Sequence, residues 1–181
     1  YWPELSSDCR LMTKLLRDLT DYSMSDQLTK QRSDLCNLLR RAYLSCLPLT
    51  EGTNKTLTYT SRVSCAYMPL DSPKMMEALL NLIVNALDAV SDNGSVQIIL
   101  TKSNEQFVVS IIDDGCGIAP KQLLTIFHPF TTTKPDGTGL GLPVAKRIIE
   151  GHGGHIRVSS APNQGATFTF LLPCSFSSDK K

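Results

Sequence analysis

The sequence has almost no net charge, no long apolar run and no closely spaced cysteine pair. Its formal net charge of +1 over 181 residues gives no electrostatic attraction to nucleic acid or to an acidic membrane surface. No apolar stretch reaches the roughly 18–20 residues that a membrane-spanning helix needs. With 41% hydrophobic and 19% charged residues, the chain has the composition of a folded globular protein with one full core and a small appendage.

The six cysteines are scattered along the chain, and none forms a C-x-x-C pair. Disulfide-rich domains and zinc sites both depend on repeated, closely spaced ligands, so the sequence predicts neither. We therefore expect reduced cysteines and a cytoplasmic domain. Because the chain begins at Tyr1 rather than Met, we also expect a fragment, with any membrane attachment in segments upstream of it.

Apolar residues recur every seven positions near the start of the chain, at Leu5, Met12 and Leu19. This narrow stripe predicts a helix over residues 3–23 that belongs to a helical bundle, and an ordinary amphipathic helix packed on its own domain is the alternative. The polar stretch that follows favours the bundle. The chain is thus divided into a bundle helix (1–25), a linker (26–32), a folded domain (33–175) and a polar tail (176–181).

Helices and strands alternate irregularly through the predicted domain. Helices are predicted at about 33–46, 72–90, 120–126 and 140–150, and strands at about 56–60, 62–67, 95–102, 106–113, 154–160 and 165–172. This order favours an α/β fold, a two-layer α/β sandwich with a mixed sheet, over a doubly wound parallel sheet. Residues 128–140 are rich in Thr, Gly, Pro and Lys without apolar periodicity, which predicts a mobile loop.

The helix predicted at 72–90 carries a polar stripe inside its most apolar part, "NLIVNALDAV". Asn81, Asn85 and Asp88 stand at i, i+4 and i+7, which is one face of a helix. An amide oxygen can bind Mg²⁺ together with water and phosphate oxygens. Such side chains can equally cap nearby backbone, and the stripe by itself leaves both interpretations open.

Two glycine-rich segments follow. "DDGCGI" (113–118) comes directly after a predicted strand, so its first Asp could accept a hydrogen bond from an exocyclic amine while Gly115 and Gly117 let the backbone approach a flat ring. "GTGLGL" (137–142) opens a predicted helix, where backbone N–H groups could face phosphates. It lacks the Gly-Lys-Ser/Thr ending of a Walker loop. Each segment alone is a weak signal, and a simple turn is the alternative for the first.

In this order and spacing the three motifs resemble the ATP-binding domain shared by gyrase-type ATPases, Hsp90 chaperones and sensor histidine kinases. "NLIVNALDA" resembles its asparagine box, "DDGCGI" its first glycine box and "DGTGLGLPVAKRIIEGHGG" its second, while "IFHPFTTTK" resembles the phenylalanine box of sensor kinases and "GATFTFLLP" the last strand. The resemblance covers about residues 32–173, and "FTTTKPDGTGLGL" is most similar to the nitrogen-regulatory and sporulation type. It implies a Bergerat-type ATP-binding fold, preceded by one helix of a dimerisation bundle.

The resemblance also implies a role for each candidate residue, with ATP and Mg²⁺ as cofactors. Asn85 would bind Mg²⁺, Asn81 would contact the phosphate side of the site, and Lys134 would offer a cation to the terminal phosphate. Asp113 would bind the adenine amine with support from Thr167 through water. The remaining candidates are glycine-box residues that would line the ring and wrap the triphosphate: Gly115, Gly117, Gly137, Thr138, Gly139, Leu140 and Gly141.

Position 81 separates kinases from ATPases within this family. The ATPases carry a Glu one helical turn before the metal-binding Asn, and this chain has Asn81 there. An amide is not basic enough to activate water. We therefore expect ATP binding with slow hydrolysis, and catalysis by positioning and charge through Asn81 and Lys134. The alternative is a nucleotide-binding regulatory module or a degenerate kinase.

The three histidines, His128, His152 and His155, are expected to be ordinary solvent or turn residues, because none lies on the first helix and none precedes an acid. The resemblance therefore implies a phosphoacceptor His on a bundle helix upstream. It further implies three partners: that helix, a response-regulator receiver domain, and a second copy in a homodimer, with no nucleic acid. His128 in place of Glu, and Asp88 where some relatives have a phosphate-contacting Lys, are departures from the family pattern.

Overall fold

The computed structural model describes residues 27–134 and 137–174. The bundle helix predicted over 3–23 and the polar tail predicted over 176–181 lie outside these residues. Across the described ranges, no helix combines the length and the apolar character needed to span a membrane.

Seven strands lie within the described residues. They are β1 (Gln31–Asp34), β2 (Thr56–Ser61), β3 (Tyr67–Leu70), β4 (Ser95–Ser103), β5 (Gln106–Asp113), β6 (His155–Ser160) and β7 (Ala166–Pro173). Five of them form one sheet in the order β2, β4, β5, β7, β6. The β2–β4 pair is parallel and the other pairs are antiparallel, so the predicted mixed sheet is confirmed.

Strand β1 was not predicted from the sequence. It pairs with β3 in a separate two-stranded sheet, with Gln31 opposite Leu70 and Asp34 opposite Tyr67. The first two residues of β1 belong to the predicted linker, which therefore overlaps a strand. The strand expected at 62–67 instead begins at Tyr67. Strand β1 was missed because "QRSD" is polar, and its extended form depends on pairing with a distant segment rather than on its own alternation.

Four α-helices lie in the same part of the chain: α1 (Leu35–Cys46), α2 (Ser72–Ala89), α3 (Pro120–Leu123) and α4 (Gly141–Gly151). Helix α2 begins as predicted, because the Asp71 side chain accepts a hydrogen bond from the Lys74 backbone N–H at 3.1 Å and Pro73 lies in the first turn. Helix α3 is shorter than expected and gives way to turns after Leu123.

The long helices pack on one face of the five-stranded sheet. Helix α2 lies between α1 and α4 and against β5. Its apolar face is fully buried through Leu79, Leu82 and Ile83, and the sheet contributes alternate residues such as Ile98 and Ile111 to the same core. Burying one such side chain stabilises the fold by about 1.5–3 kcal/mol. The result is the predicted two-layer α/β sandwich, with the polar stripe of α2 on the edge of the core.

Candidate functional site

The polar stripe of α2 faces the start of α4. Asn81 and Asn85 are partly buried, while Asp88 near the end of the helix is exposed. A Cβ atom added to Gly141, the first residue of α4, would lie 3.5 Å from Asn81 Oδ1. The structure thus brings the second glycine box against the asparagine box.

Lys134 lies directly over the same stripe. Its ammonium donates hydrogen bonds to Asn85 Oδ1 at 2.8 Å and to Asp88 Oδ2 at 2.9 Å. The side chains of Lys134 and Asp88 are 42% and 52% exposed. The Lys134 ammonium, predicted to reach a phosphate, therefore contacts the Asn85 amide oxygen, predicted to bind the metal. The sequence did not predict this contact.

Asp113 is the last residue of β5 and is 5% exposed. It continues the row of core-facing residues on this strand, since successive side chains of a strand alternate between faces. Its Oδ1 accepts hydrogen bonds from the backbone N–H groups of Gly115 at 3.0 Å and Ala166 at 3.1 Å. Burial raises the pKa of this carboxyl group, and the two backbone hydrogen bonds oppose that rise only in part. A buried carboxylate held by neutral donors can accept a further hydrogen bond from a ligand amine.

The loop after Asp113 is fixed by the backbone around it. Cys116 N–H donates to the Ala89 carbonyl at the end of α2 at 3.2 Å, and Gly165 N–H donates to the Gly115 carbonyl at 3.0 Å. A Cβ at Gly115 would collide with the Ala89 carbonyl. Gly117 has a φ of +68°, and a Cβ there would collide with the Ala161 carbonyl. Packing within the protein therefore requires glycine at both positions, independently of any contact that these residues make with a ligand.

The second glycine box packs on the phenylalanine box. Gly139 has a φ of +68°, and a Cβ added there would lie 2.5 Å from the Phe130 carbonyl carbon. Phe130 N–H donates to the Gly139 carbonyl at 3.0 Å, and Gly137 N–H donates to the Lys134 carbonyl at 3.1 Å. These hydrogen bonds hold the loop beside α2. The mobility expected for residues 128–140 remains a prediction.

Leu140 could contact a phosphate only through its backbone, because its side chain is fully buried. Its N–H lies 3.4 Å from Thr138 Oγ1. Gly141 follows as the first residue of α4, where unpaired N–H groups of a helix favour anions.

Two aromatic residues of the phenylalanine box have different environments. Phe127 is partly buried, and the Lys146 ammonium of α4 lies 5.4 Å from its ring centroid. Phe130 is 61% exposed, and Leu124 beside this segment is 80% exposed. The box therefore presents apolar surface next to the site.

Thr167 requires a correction. It pairs with Ile112 of β5 and Ser159 of β6, whereas Asp113 pairs with Ala166. Because directly paired residues share a face and neighbours in a strand alternate, the Thr167 side chain lies on the opposite face from Asp113. The support expected from the Thr167 side chain comes instead from the Ala166 backbone N–H.

His152 lies in the turn after α4, which is one of the two environments expected for the histidines, and it is buried rather than solvent-exposed. Its Nε2 accepts a hydrogen bond from the Asp71 N–H at 2.9 Å, and its Nδ1 lies 2.7 Å from the Ile148 carbonyl. His128 and His155 are exposed. The sequence signal for His152 was its place one residue beyond α4, where a polar ring can bond the last carbonyls of a helix.

The sequence profile of the histidine kinase-, DNA gyrase B- and HSP90-like ATPase family matches residues 70–175. The chain belongs to this family. The match runs from the start of α2 through β7, so it contains both glycine boxes, Asp113 and the polar stripe of α2.

Two named relatives match most of this chain. The signal transduction histidine-protein kinase AtoS of Escherichia coli strain K12 is 36% identical over 165 residues, which cover 90% of this chain and 27% of AtoS. The sensor histidine kinase ZraS of Salmonella typhimurium is 32% identical over 170 residues, which cover 93% of this chain and 37% of ZraS. The chain thus spans about a third of the length of these relatives.

Solved structures of similar fold are also histidine kinases. The nucleotide-free catalytic domain of ThkA has a TM-score of 0.75 and 29% identity, with 82% of this chain and 97% of ThkA's domain covered. Full-length ShkA in complex with AMPPNP has a TM-score of 0.81 and 25% identity, with 90% and 35% covered. ThkA in complex with the response regulator TrrA has a TM-score of 0.79 with 93% and 48% covered, and its 24% identity supports the fold alone.

Proposed function

We propose that this chain is the catalytic, ATP-binding part of a two-component sensor histidine kinase. It would bind Mg-ATP and transfer the γ-phosphate to a His on its own dimerisation helix, from which the phosphate passes to an Asp of a response-regulator receiver domain. The observation that carries the proposal is the meeting of Asn81, Asn85, Lys134 and Gly141 along one face of α2, with Asp113 at the end of the neighbouring strand β5.

The adenine end of the site is supported by Asp113. Its carboxylate is buried and is held through Oδ1 by two backbone donors. An exocyclic amine can donate to such a carboxylate, and a buried acceptor strengthens that bond. ShkA, which has the same fold, binds AMPPNP, and this supports a nucleotide as the ligand here.

The phosphate end is supported by Asn81, Asn85 and Lys134. An Asn85 amide oxygen that already accepts from an ammonium at 2.8 Å is suitably placed for a cation, and amide oxygens are ordinary Mg²⁺ ligands. Bound Mg²⁺ would neutralise phosphate charge. Gly137, Thr138, Gly139, Leu140 and Gly141 would wrap the phosphates at the start of α4. The N–H groups of Gly137 and Leu140 would have to exchange their present acceptors, the Lys134 carbonyl and Thr138 Oγ1, for phosphate oxygens.

Slow hydrolysis follows from the absence of a base at position 81. The Asn81 side chain is partly buried beside α4 and carries no proton-accepting group of useful basicity. Lys134 and the helix start can stabilise charge on the transferred group without activating water. Such a site favours transfer to a side chain over transfer to solvent.

The partners of the proposed kinase follow from the family resemblance. They are its own His-bearing helix, a second copy in a homodimer, and a receiver domain. Exposed Leu124 and Phe130 provide an apolar contact for a helix beside the site. We also propose a cytoplasmic location and the nitrogen-regulatory and sporulation type, for which "FTTTKPDGTGLGL" is the supporting sequence.

Calorimetric titration with an ATP analogue and Mg²⁺ tests the nucleotide site. Asn85→Ala and Asp113→Ala should each weaken binding at least tenfold, or about 1.4 kcal/mol. Gln97→Ala, which removes an exposed amide from β4, and Glu150→Gln, on the exposed surface of α4, are the matched controls. Unchanged affinity in both site variants would exclude this assignment. Nucleotide binding without any histidine phosphorylation would favour the regulatory module.

A further inference from the structure

Two oxygens on α2 converge on a single cation that comes from a distant part of the chain. Asn85 Oδ1 and Asp88 Oδ2 lie 2.8 and 2.9 Å from the Lys134 ammonium. Asn85 and Asp88 are three residues apart on one helix face, whereas Lys134 lies 49 residues after Asn85. The two oxygens therefore form a small cation site, and Lys134 occupies it.

Asp88 has no part in the proposed binding of the nucleotide. A neutral amide alone would hold an exposed ammonium only weakly, because water competes for the same hydrogen bonds. The Asp88 carboxylate supplies the opposite charge at direct hydrogen-bond distance. An exposed pair of this kind shifts an equilibrium by about fivefold at most, which suits a contact that must be given up.

A divalent ion and the Lys134 ammonium would repel each other at Asn85 Oδ1. An ion bound to this oxygen would lie close to a positive group that is only 2.8 Å from the same oxygen. Binding of a metal there would therefore favour the departure of Lys134 from Asn85. Asp88 keeps it within reach of the phosphate end.

We propose that Asp88 is a positioning residue that holds Lys134 on Asn85 in the absence of nucleotide, so that the ammonium and the divalent ion compete for one amide oxygen. This inference rests on the proposed Mg-ATP site. On release from Asn85, Lys134 would be free to reach toward the terminal phosphate of a bound nucleotide.

The first experiment needs no nucleotide. The side-chain amide resonance of Asn85 in the free chain, assigned by its loss in Asn85→Ala, is compared between the unchanged chain and Lys134→Met. Methionine keeps the apolar stem and removes the ammonium, so the Asn85 amide resonance should shift. Lys121→Met, an exposed lysine on α3, should leave that resonance in place. An unmoved resonance in Lys134→Met would overturn the contact itself.

The second experiment measures competition. The affinity for an ATP analogue is determined with Mg²⁺ and with a chelator, and the ratio of the two is compared among variants. Lys134→Met should increase this ratio about threefold to fivefold, because the metal no longer displaces a cation. Asp88→Asn should also increase this ratio when Lys134 is present, and it should have no effect on the ratio in the Lys134→Met background. Asp88→Glu should keep the ratio of the unchanged chain.

The two measurements separate this inference from the proposed function. Loss of all nucleotide binding in the unchanged chain would refute the proposed function, and the resonance of Asn85 would still report the contact with Lys134. A shifted resonance with an unchanged Mg²⁺ ratio in Lys134→Met would overturn the competition. Additive effects of Asp88→Asn and Lys134→Met on the ratio would overturn the positioning role of Asp88.

Discussion

The ring of His152 connects the end of α4 to the beginning of α2, because its Nε2 accepts a hydrogen bond from the Asp71 backbone N–H at 2.9 Å. Asp71 in turn caps α2 and accepts from the Thr29 N–H at 2.9 Å through its other carboxylate oxygen. This arrangement needs a neutral ring with its proton on Nδ1, facing the Ile148 carbonyl. The two helices that carry the asparagine and second glycine boxes are thus joined at the ends away from the Lys134 contact.

The stability of the domain should fall in mild acid because of His152. Burial lowers the pKa of its ring below the ordinary value of 6.5, so below pH 6.5 the unfolded chain binds a proton more readily than the folded one. The free energy of unfolding should therefore decrease as pH falls from 6.5 toward the folded pKa, by at most about 1.4 kcal/mol per pH unit. Urea unfolding at pH 7.5 and 5.5 measures this. His152→Gln should flatten the pH dependence, and an equal slope in that variant would assign the effect to other groups.

Asp113→Asn should separate binding from stability. The raised pKa of Asp113 means that the folded chain holds this proton more tightly than the unfolded chain, so the ionised group costs stability as pH rises above about 3.8 through the folded pKa. Asparagine keeps an oxygen for the Gly115 and Ala166 N–H groups and removes the buried charge. We expect equal or higher thermal stability at pH 7 with at least tenfold weaker nucleotide binding. A destabilised variant that binds normally would contradict both parts.

Asn81→Glu should raise ATP hydrolysis. It places a carboxylate beside the start of α4, next to Gly141, where the family's ATPases carry their base. Asn81→Gln is the matched control, because it lengthens the side chain by the same amount without adding basicity. Phosphate release measures the rates, and an equal rise in both variants would exclude general base catalysis. Hydrolysis by the unchanged chain at about 1 s⁻¹ or more would favour an ATPase over a kinase.

Phosphate transfer should require the dimerisation helix. His128 and His155 are exposed, His152 is buried, and none of the three precedes an acid, so the chain alone should not label itself with γ-labelled ATP. Supplied with its His-bearing helix, it should produce a label that is acid-labile and base-stable. Lys134→Met should reduce the transfer rate by about tenfold or more, and labelling of the chain alone would refute the predicted acceptor.

Features set by local sequence could be predicted, and those set by distant contacts could not. The stripe of Asn81 and Asn85 follows from helical periodicity, and Asp113 follows from the glycine-rich motif directly after a predicted strand, so the sequence predicts both candidates. Strand β1 exists through its pairing with β3, and the contact of Lys134 with Asp88 spans 46 residues. The face occupied by Thr167 depends on the register of β7 with β5, which the sequence does not specify.

The close approach of backbone to Gly115 and Gly117 has a consequence for mutational scanning. Variants at these two positions should lose solubility and cooperative unfolding together with activity, because a side chain of any chemistry meets a carbonyl of the protein itself. Loss of such variants from a genetic screen would therefore report defective folding and would not identify contacts with a ligand. Evidence about ligand chemistry has to come from positions where a replacement meets no backbone carbonyl, such as Asn85 and Lys134.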